Sequence, residues 1–140
     1  MSETHFIGAV TDAPGVILRL EGLVVMAAAA AAFQMLGGGW GMFALLFLVP
    51  DLSMLGYLFG PRVGAVCYNV GHSHLGPALL CGAGLAQGDS LLPQLAAIWV
   101  AHIGFDRMLG YGLKYSSGFG HTHLGLKGKA AQAAEKPLPA

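Results

Sequence analysis

Apolar residues fill four long segments of this chain, separated by short polar or glycine-rich punctuation. The first runs from about Val16 to Leu36, the second from Trp40 to Phe59, the third from Pro61 to about Ala86 and the fourth from Leu91 to about Tyr115. Each is close to the roughly 20 residues that a helix needs to cross a hydrocarbon layer of about 30 Å. The separators Gly37-Gly38-Gly39, Gly60-Pro61 and Gln87-Gly88-Asp89-Ser90 are breakers of the kind that make tight turns. Tight turns force antiparallel neighbours, so the pattern predicts an all-α, integral-membrane, up-and-down four-helix bundle. Residues 1–15 then form a polar N-terminal segment, 16–115 the transmembrane domain and 116–140 a cytoplasmic tail. The tail is rich in Ala, Gly, Lys and Pro from Lys127, a composition that predicts partial disorder.

Composition strengthens this picture. Hydrophobic residues make up 55% of the chain and charged residues only 10%, against about 25% charged in an ordinary soluble domain. Net charge is zero, which excludes bulk attraction to nucleic acid. The partners to expect are membrane lipid, other membrane proteins or a second copy of the chain. With a cytoplasmic N-terminus, Arg19, Arg62, Arg107, Lys114, Lys127, Lys129 and Lys136 all fall at or beyond cytoplasmic helix ends. That satisfies the positive-inside bias and predicts that both termini face the cytoplasm. Leu23 to Ala32 also resembles the apolar part of a cleavable signal peptide. Glu21 beside Arg19 is out of place in such a leader, and the segment is expected to stay as a first span. Cys67 and Cys81 fall on one predicted helix about 21 Å apart, too far to bond.

Helices in lipid pack through small residues. The run Ala27 to Ala32, the spacings Gly56/Gly60 and Gly60/Gly64, and Gly71, Gly76, Gly82 and Gly84 offer such surfaces, with packing inside the chain favoured over dimerisation. Pro50 and Pro77 lie within spans and should kink them or free backbone carbonyls.

Strongly polar groups inside these spans mark a site, because hydrocarbon solvates them poorly. Measured from the cytoplasmic helix ends, Asn69 lies about 10 Å in, Asp51 about 12 Å, Asp106 about 13 Å, His72 about 15 Å and His102 about 19 Å, at the usual helical rise. They converge on one layer in the cytoplasmic half of the membrane, with Glu21 and Arg19 in or just below it. His102 and Asp106 are spaced i,i+4, Asn69 and His72 i,i+3, and Tyr68 stands four before His72, so each set shares a helical face. One reading is a self-satisfying polar network: Asp51 or Asp106 with Arg107 or Arg19, and His72 with Asn69 or Tyr68. The other is a divalent metal, zinc or iron, held by Asp51, His72, His102, Asp106 and Glu21. The paired Glu-x-x-His repeats of di-iron bundles are missing, which favours a single ion.

Other polar residues are weaker candidates. Ser53 and Ser73 are expected to bond their own backbone, and His74, two residues from His72, should face elsewhere. His121-Thr122-His123 would reach the site only if the tail folds back beneath the helices. Trp40 belongs at the outer interface and Trp99 to interior packing.

Several blocks resemble a known family. They are Leu18-Arg19-Leu20-Glu21-Gly22, the run Pro50 to Tyr57, Tyr68-Asn69-Val70-Gly71-His72, the run Trp99 to Arg107, Gly110 to Tyr115, and Thr122-His123-Leu124-Gly125. Together they are similar to a small bacterial membrane-protein family catalogued as domain of unknown function 4260, over about Val16 to Gly125. The resemblance implies a compact multi-helix protein of the bacterial inner membrane and supplies no activity. Its blocks contain Glu21, Asp51, Asn69, His72, His102, Asp106, Arg107 and His123, whereas His74 and His121 fall outside them.

The function expected from these residues is a membrane-embedded, metal-dependent enzyme acting on a lipid or other hydrophobic substrate from the cytoplasmic leaflet. Asp51, His72 and His102 would bind the ion, and Asp106 would be a fourth ligand or a general base. Arg107, Arg19 and Lys114 would meet an anionic headgroup; Tyr68, Asn69 and His123 would support the ligands. The alternatives are an accessory subunit of a larger membrane complex and an ion or proton pathway. The pathway is disfavoured because the outer half of the spans carries no acidic or histidine group.

Overall fold

The computed structural model describes residues 12–134, and the chain over that range is mostly helical. Helix α1 covers Asp12–Met35, α2 covers Trp40–Leu46, and a 3₁₀ helix covers Val49–Phe59. Helix α3 covers Pro61–Gly71, α4 covers Leu75–Gln87 and α5 covers Leu91–Leu109. Two segments, Ala13–Met35 and Trp40–Phe59, are long and apolar enough to cross a membrane.

Three of the four apolar segments depart from a single regular helix, each for a local reason. In the second, Pro50 occupies the first turn of the 3₁₀ helix. Having no N–H, it cannot continue the hydrogen-bond ladder of α2. The third segment breaks at His72–His74 between α3 and α4. A continuous helix would need an N–H at Pro77 for the carbonyl of Ser73, and proline has none. Cys67 and Cys81 consequently lie on different helices, and both are free thiols. The fourth helix ends at Leu109 and not near Tyr115, because Gly110 adopts φ 82°, a left-handed conformation that stops a helix. Its start is fixed by Asp89, whose Oδ1 accepts the N–H groups of Leu91 at 2.6 Å and Leu92 at 3.0 Å.

The broken turn of the third segment is repaired from α5. Trp99 Nε1 donates to the carbonyl of Gly71 at 2.6 Å, and its ring lies over Gly76. Arg107 donates to the carbonyl of His72 at 3.1 Å. Buried carbonyls freed from a helix need such partners. Trp99 is thus more than packing, and Arg107 holds the turn that carries His72.

Helix α1 packs along α5. The two come closest at Gly22 and Gly104: a Cβ on Gly104 would stand 2.6 Å from the backbone nitrogen of Met26 and 2.8 Å from the carbonyl oxygen of Gly22. The run Ala27 to Ala32 contributes little to packing, since only Ala29 is buried within it. Further along, Phe33 and Ile98 form a core with Phe43 and Phe47 packed against it. The 3₁₀ helix packs on α3 where Gly56 faces Cys67, and Gly64 faces the ring of Tyr57. These glycines serve contacts within the chain.

The chain after α5 folds back. His123 N–H donates to the carbonyl of Leu113 at 3.2 Å, and Tyr115 N–H to that of His121 at 2.9 Å. Strands β1 (His121–Thr122) and β2 (Gly125–Leu126) pair antiparallel, and a short helix α6 covers Lys129–Ala134. Within the described residues of the tail, Lys127 N–H bonds the carbonyl of Gly120 at 2.8 Å. Lys127 Nζ also takes the carbonyl of Leu109 at 3.1 Å. The expectations for most of the N-terminal segment and for the last six residues fall outside the described range.

Candidate metal centre

Four side chains from three parts of the chain meet in one cluster. Asp51 comes from the first turn of the 3₁₀ helix, His72 from the end of α3, and His102 and Asp106 from one face of α5. One ligand atom from each lies within 4.8 Å of all the others. His72 Nε2 stands 3.1 Å from His102 Nε2 and 3.3 Å from both Asp51 Oδ1 and Asp106 Oδ2. His102 Nε2 is 3.3 Å from Asp51 Oδ1 and 3.9 Å from Asp106 Oδ2. Donors placed tetrahedrally about 2.0–2.1 Å from a zinc ion would be about 3.3–3.4 Å apart. Three of the five separations fall at that edge length, and the 3.1 Å between the two imidazole nitrogens lies just below it.

Protonation chemistry sharpens the geometry. His72 Nδ1 donates to the carbonyl of Tyr68 at 3.0 Å, and a carbonyl can only accept. The neutral ring therefore carries its proton on Nδ1 and leaves a bare lone pair on Nε2. That lone pair faces two carboxylate oxygens and a second imidazole nitrogen. One proton can relieve only part of this repulsion, whereas a divalent cation at the centre would satisfy all four ligand atoms at once, leaving within the cluster only the buried Nδ1 of His102 without a partner among the described residues. A backbone carbonyl fixing the distal nitrogen of a ligating histidine is the usual outer support for a bound metal.

The surroundings hold the ligands in place. The Tyr68 ring stacks on His72, with centroids 3.8 Å apart and planes inclined by 7°. Its hydroxyl donates to Asp106 Oδ2 at 3.0 Å. The Phe47 ring meets His102 edge-on at 5.4 Å. His72 and His102 are each only 1% exposed, while the side chains of Asp51 and Asp106 are 32% and 14% exposed. The cluster is thus dry on its histidine side and open on its carboxylate side. Ser53 Oγ donates to the carbonyl of Pro50 at 2.7 Å, as expected of a serine bonding its own backbone.

The other residues singled out in the sequence have different placements. Glu21 is exposed on α1 and is not part of the four-residue group. Arg19 lays its guanidinium over Gly110. Arg107, besides the carbonyl of His72, takes that of Tyr111 at 3.3 Å. Asn69 accepts the Lys114 N–H at 2.6 Å and donates to the Lys114 carbonyl at 2.9 Å, clamping the chain that leaves α5. His123 Nδ1 accepts the N–H of Leu113 at 2.9 Å. Burial and the nearby Arg107 cation hold its imidazole below the usual histidine range. His74 is exposed and lines a separate apolar cavity.

One residue beside the cluster escapes helical-face reasoning. Lys114 is only 4% exposed, and a cavity of about 250 Å³ is lined by it together with Asp51, Tyr68 and Asp106. A helix continued to Tyr115 would place Lys114 as an interfacial anchor. The turn at Gly110 instead brings it back against α3. Gly110 followed by Gly112 was the available signal.

Fold and centre together define a class: a mostly helical protein with two segments able to span a membrane and a buried group of two histidines and two aspartates that can hold a metal ion. Residues 15–126 match the family described as Domain of unknown function (DUF4260). The chain belongs to that family. No curated protein and no solved structure matches the chain.

Proposed function

We propose that this is a multi-pass protein of the bacterial inner membrane that binds a zinc or iron ion and transforms a lipid or other hydrophobic substrate. Four spans, with both termini on the cytoplasmic side, complete the proposal. The observation that carries it is the meeting of two imidazole Nε2 atoms, 3.1 Å apart, with two carboxylates around a common centre.

Three features support the setting. Large apolar side chains stand out from the helices, among them Leu45 at 78% exposure, Leu58 at 79%, Phe59 at 80% and Leu79 at 76%. Such extensive apolar surface suits lipid or a partner and is unusual for a soluble monomer. The basic residues keep the positive-inside distribution of four spans. Finally, an apolar cleft of about 490 Å³ lies between Leu46, Pro50, Ser53, Gly71 and Trp99, flanking the cluster with room for a hydrocarbon chain.

Within the site, Asp51, His72 and His102 hold the ion, which would supply Lewis acidity when bound. Asp106 is the general base, since its Oδ2 stands 3.9 Å from His102 Nε2 against 3.3 Å for Asp51 Oδ1. Tyr68 orients that carboxylate. Arg107, occupied with backbone carbonyls, is a positioning residue.

The test is to incubate metal-loaded protein with an extract of membrane lipids and follow products by mass spectrometry. Asp106→Asn should retain the metal and lose conversion by about 10²-fold or more, the usual worth of a positioned base. Conversion at the parent rate would remove Asp106 from this role.

A further inference from the structure

The cavity on the carboxylate side of the cluster contains a charge that the metal reading leaves unused. Lys114 Nζ is buried, and among the described residues it has no hydrogen-bond partner. Three rings surround it: Phe119 at 4.1 Å from the centroid, Tyr68 at 4.9 Å and Tyr111 at 5.5 Å. Ring faces attract an ammonium group but do not replace its hydrogen bonds. An unpartnered buried ammonium is costly, and this one is held in place deliberately. Asn69 grips its backbone on both sides, and Lys114 bridges to Thr122 in the folded-back segment. The same cavity, about 250 Å³, is lined by Asp51 and Asp106.

We infer that this cavity takes a monoanionic oxyanion group of an amphiphilic ligand, a carboxylate or a phosphodiester, anchored by Lys114 Nζ. The inference rests on the metal reading for its charge balance. A divalent ion is neutralised by Asp51 and Asp106, the histidines bound to it are neutral, and among the residues lining the cavity Lys114 leaves a single positive charge. A monoanion cancels that charge and gives the ammonium its missing acceptor. The cavity is small beside ordinary ligand pockets of roughly 300–1,000 Å³, so it fits a polar end group. Exposed apolar side chains at its rim, Phe119 at 48% and Tyr111 at 38%, suit the start of an apolar tail. Of the cations near the cavity, Arg107 is spent on carbonyls, Lys127 is bonded to the carbonyl of Leu109 and Arg19 lies over Gly110. Lys114 is the one lining this cavity.

The experiment is calorimetric titration of the zinc-loaded protein in non-ionic detergent near neutral pH. The probes are dodecanoate, dodecyl methyl phosphate and uncharged dodecanol. At least one anion should bind about tenfold or more tighter than dodecanol, the worth of one charge-assisted hydrogen bond. Which anion does so separates the carboxylate from the phosphodiester. Lys114→Met should abolish the preference with metal content unchanged, and Lys114→Arg should keep it. Dodecanol binding as tightly as both anions to the parent protein overturns the inference without recourse to any variant. A preference that survives in folded, metal-loaded Lys114→Met overturns it as well. Metal content, measured on the same samples, fails separately: zinc bound with no anion preference sinks the Lys114 site and leaves the metal reading standing. An anion preference dependent on Lys114 in protein that takes up no zinc supports the lysine site and sinks the metal.

Discussion

At the scale of single residues, the tautomer of His72 decides how the cluster must be understood. Its Nδ1 proton is committed to the Tyr68 carbonyl, so the nitrogen turned toward Asp51, Asp106 and His102 has no proton to offer in the neutral ring. Tyr68 acts twice, through its carbonyl on His72 and through its hydroxyl on Asp106. Tyr68→Phe removes the second of these and keeps the ring that stacks on His72. Lipid conversion by the metal-loaded protein should fall about tenfold with metal content unchanged, as for other outer partners at a metal site. Unchanged conversion would mean that Asp106 needs no such support. Asp51, His72, His102 and Asp106 were legible in the sequence because equal depth and i,i+4 spacing are properties of helices and survive without coordinates. Glu21 satisfies the depth test too, yet it is exposed on α1. Depth fixes height along a helix and leaves azimuth open, and α1 has no second polar residue on a common face with Glu21 to orient it inward.

At the scale of elements, the breaks matter as much as the helices. Pro77 ends a continuous third segment, and the turn this creates presents the carbonyls of Gly71 and His72 to Trp99 and Arg107. Proline signalled a disturbance in the sequence. Its exact place, and the residues that repair it, depend on which helix lies alongside, which local pattern does not encode. The close crossing of Gly22 and Gly104 was hidden for the same reason: single glycines on separate helices carry no spacing motif. The folded-back segment carries a pH dependence of its own. His123 must be neutral to accept the Leu113 N–H, and burial with the Arg107 cation lowers its proton affinity in the fold. Below the ordinary histidine pKa of about 6.5, the unfolded segment binds more protons than the folded one. Its contribution to stability is therefore full above that pH and is lost as pH falls. Hydrogen exchange should show protection of the Leu113 amide, corrected for intrinsic rates, declining from pH 7.5 to 5.5 relative to amides within α5. Constant or rising protection at low pH would contradict this.

At the scale of the whole molecule, the apolar exterior and the polar interior call for one environment that serves both. The exposed faces of Leu45, Leu58, Phe59 and Leu79 suit hydrocarbon, and a centre surrounded by hydrocarbon must have its charges balanced from within. The protein expressed in bacterial cells should stay with the membrane pellet after alkaline carbonate washing. Recovery in the soluble fraction would require its apolar faces to be covered by protein. Elemental analysis by mass spectrometry of detergent-purified protein, with an Asp51→Asn/His102→Ala double variant alongside, decides whether the cluster holds an ion. One equivalent of zinc or iron is expected in the parent and none in the folded variant. No metal in the parent, after purification without chelators and attempted reconstitution with either ion, would contradict it and leave the cluster a self-contained network of imidazoles and carboxylates.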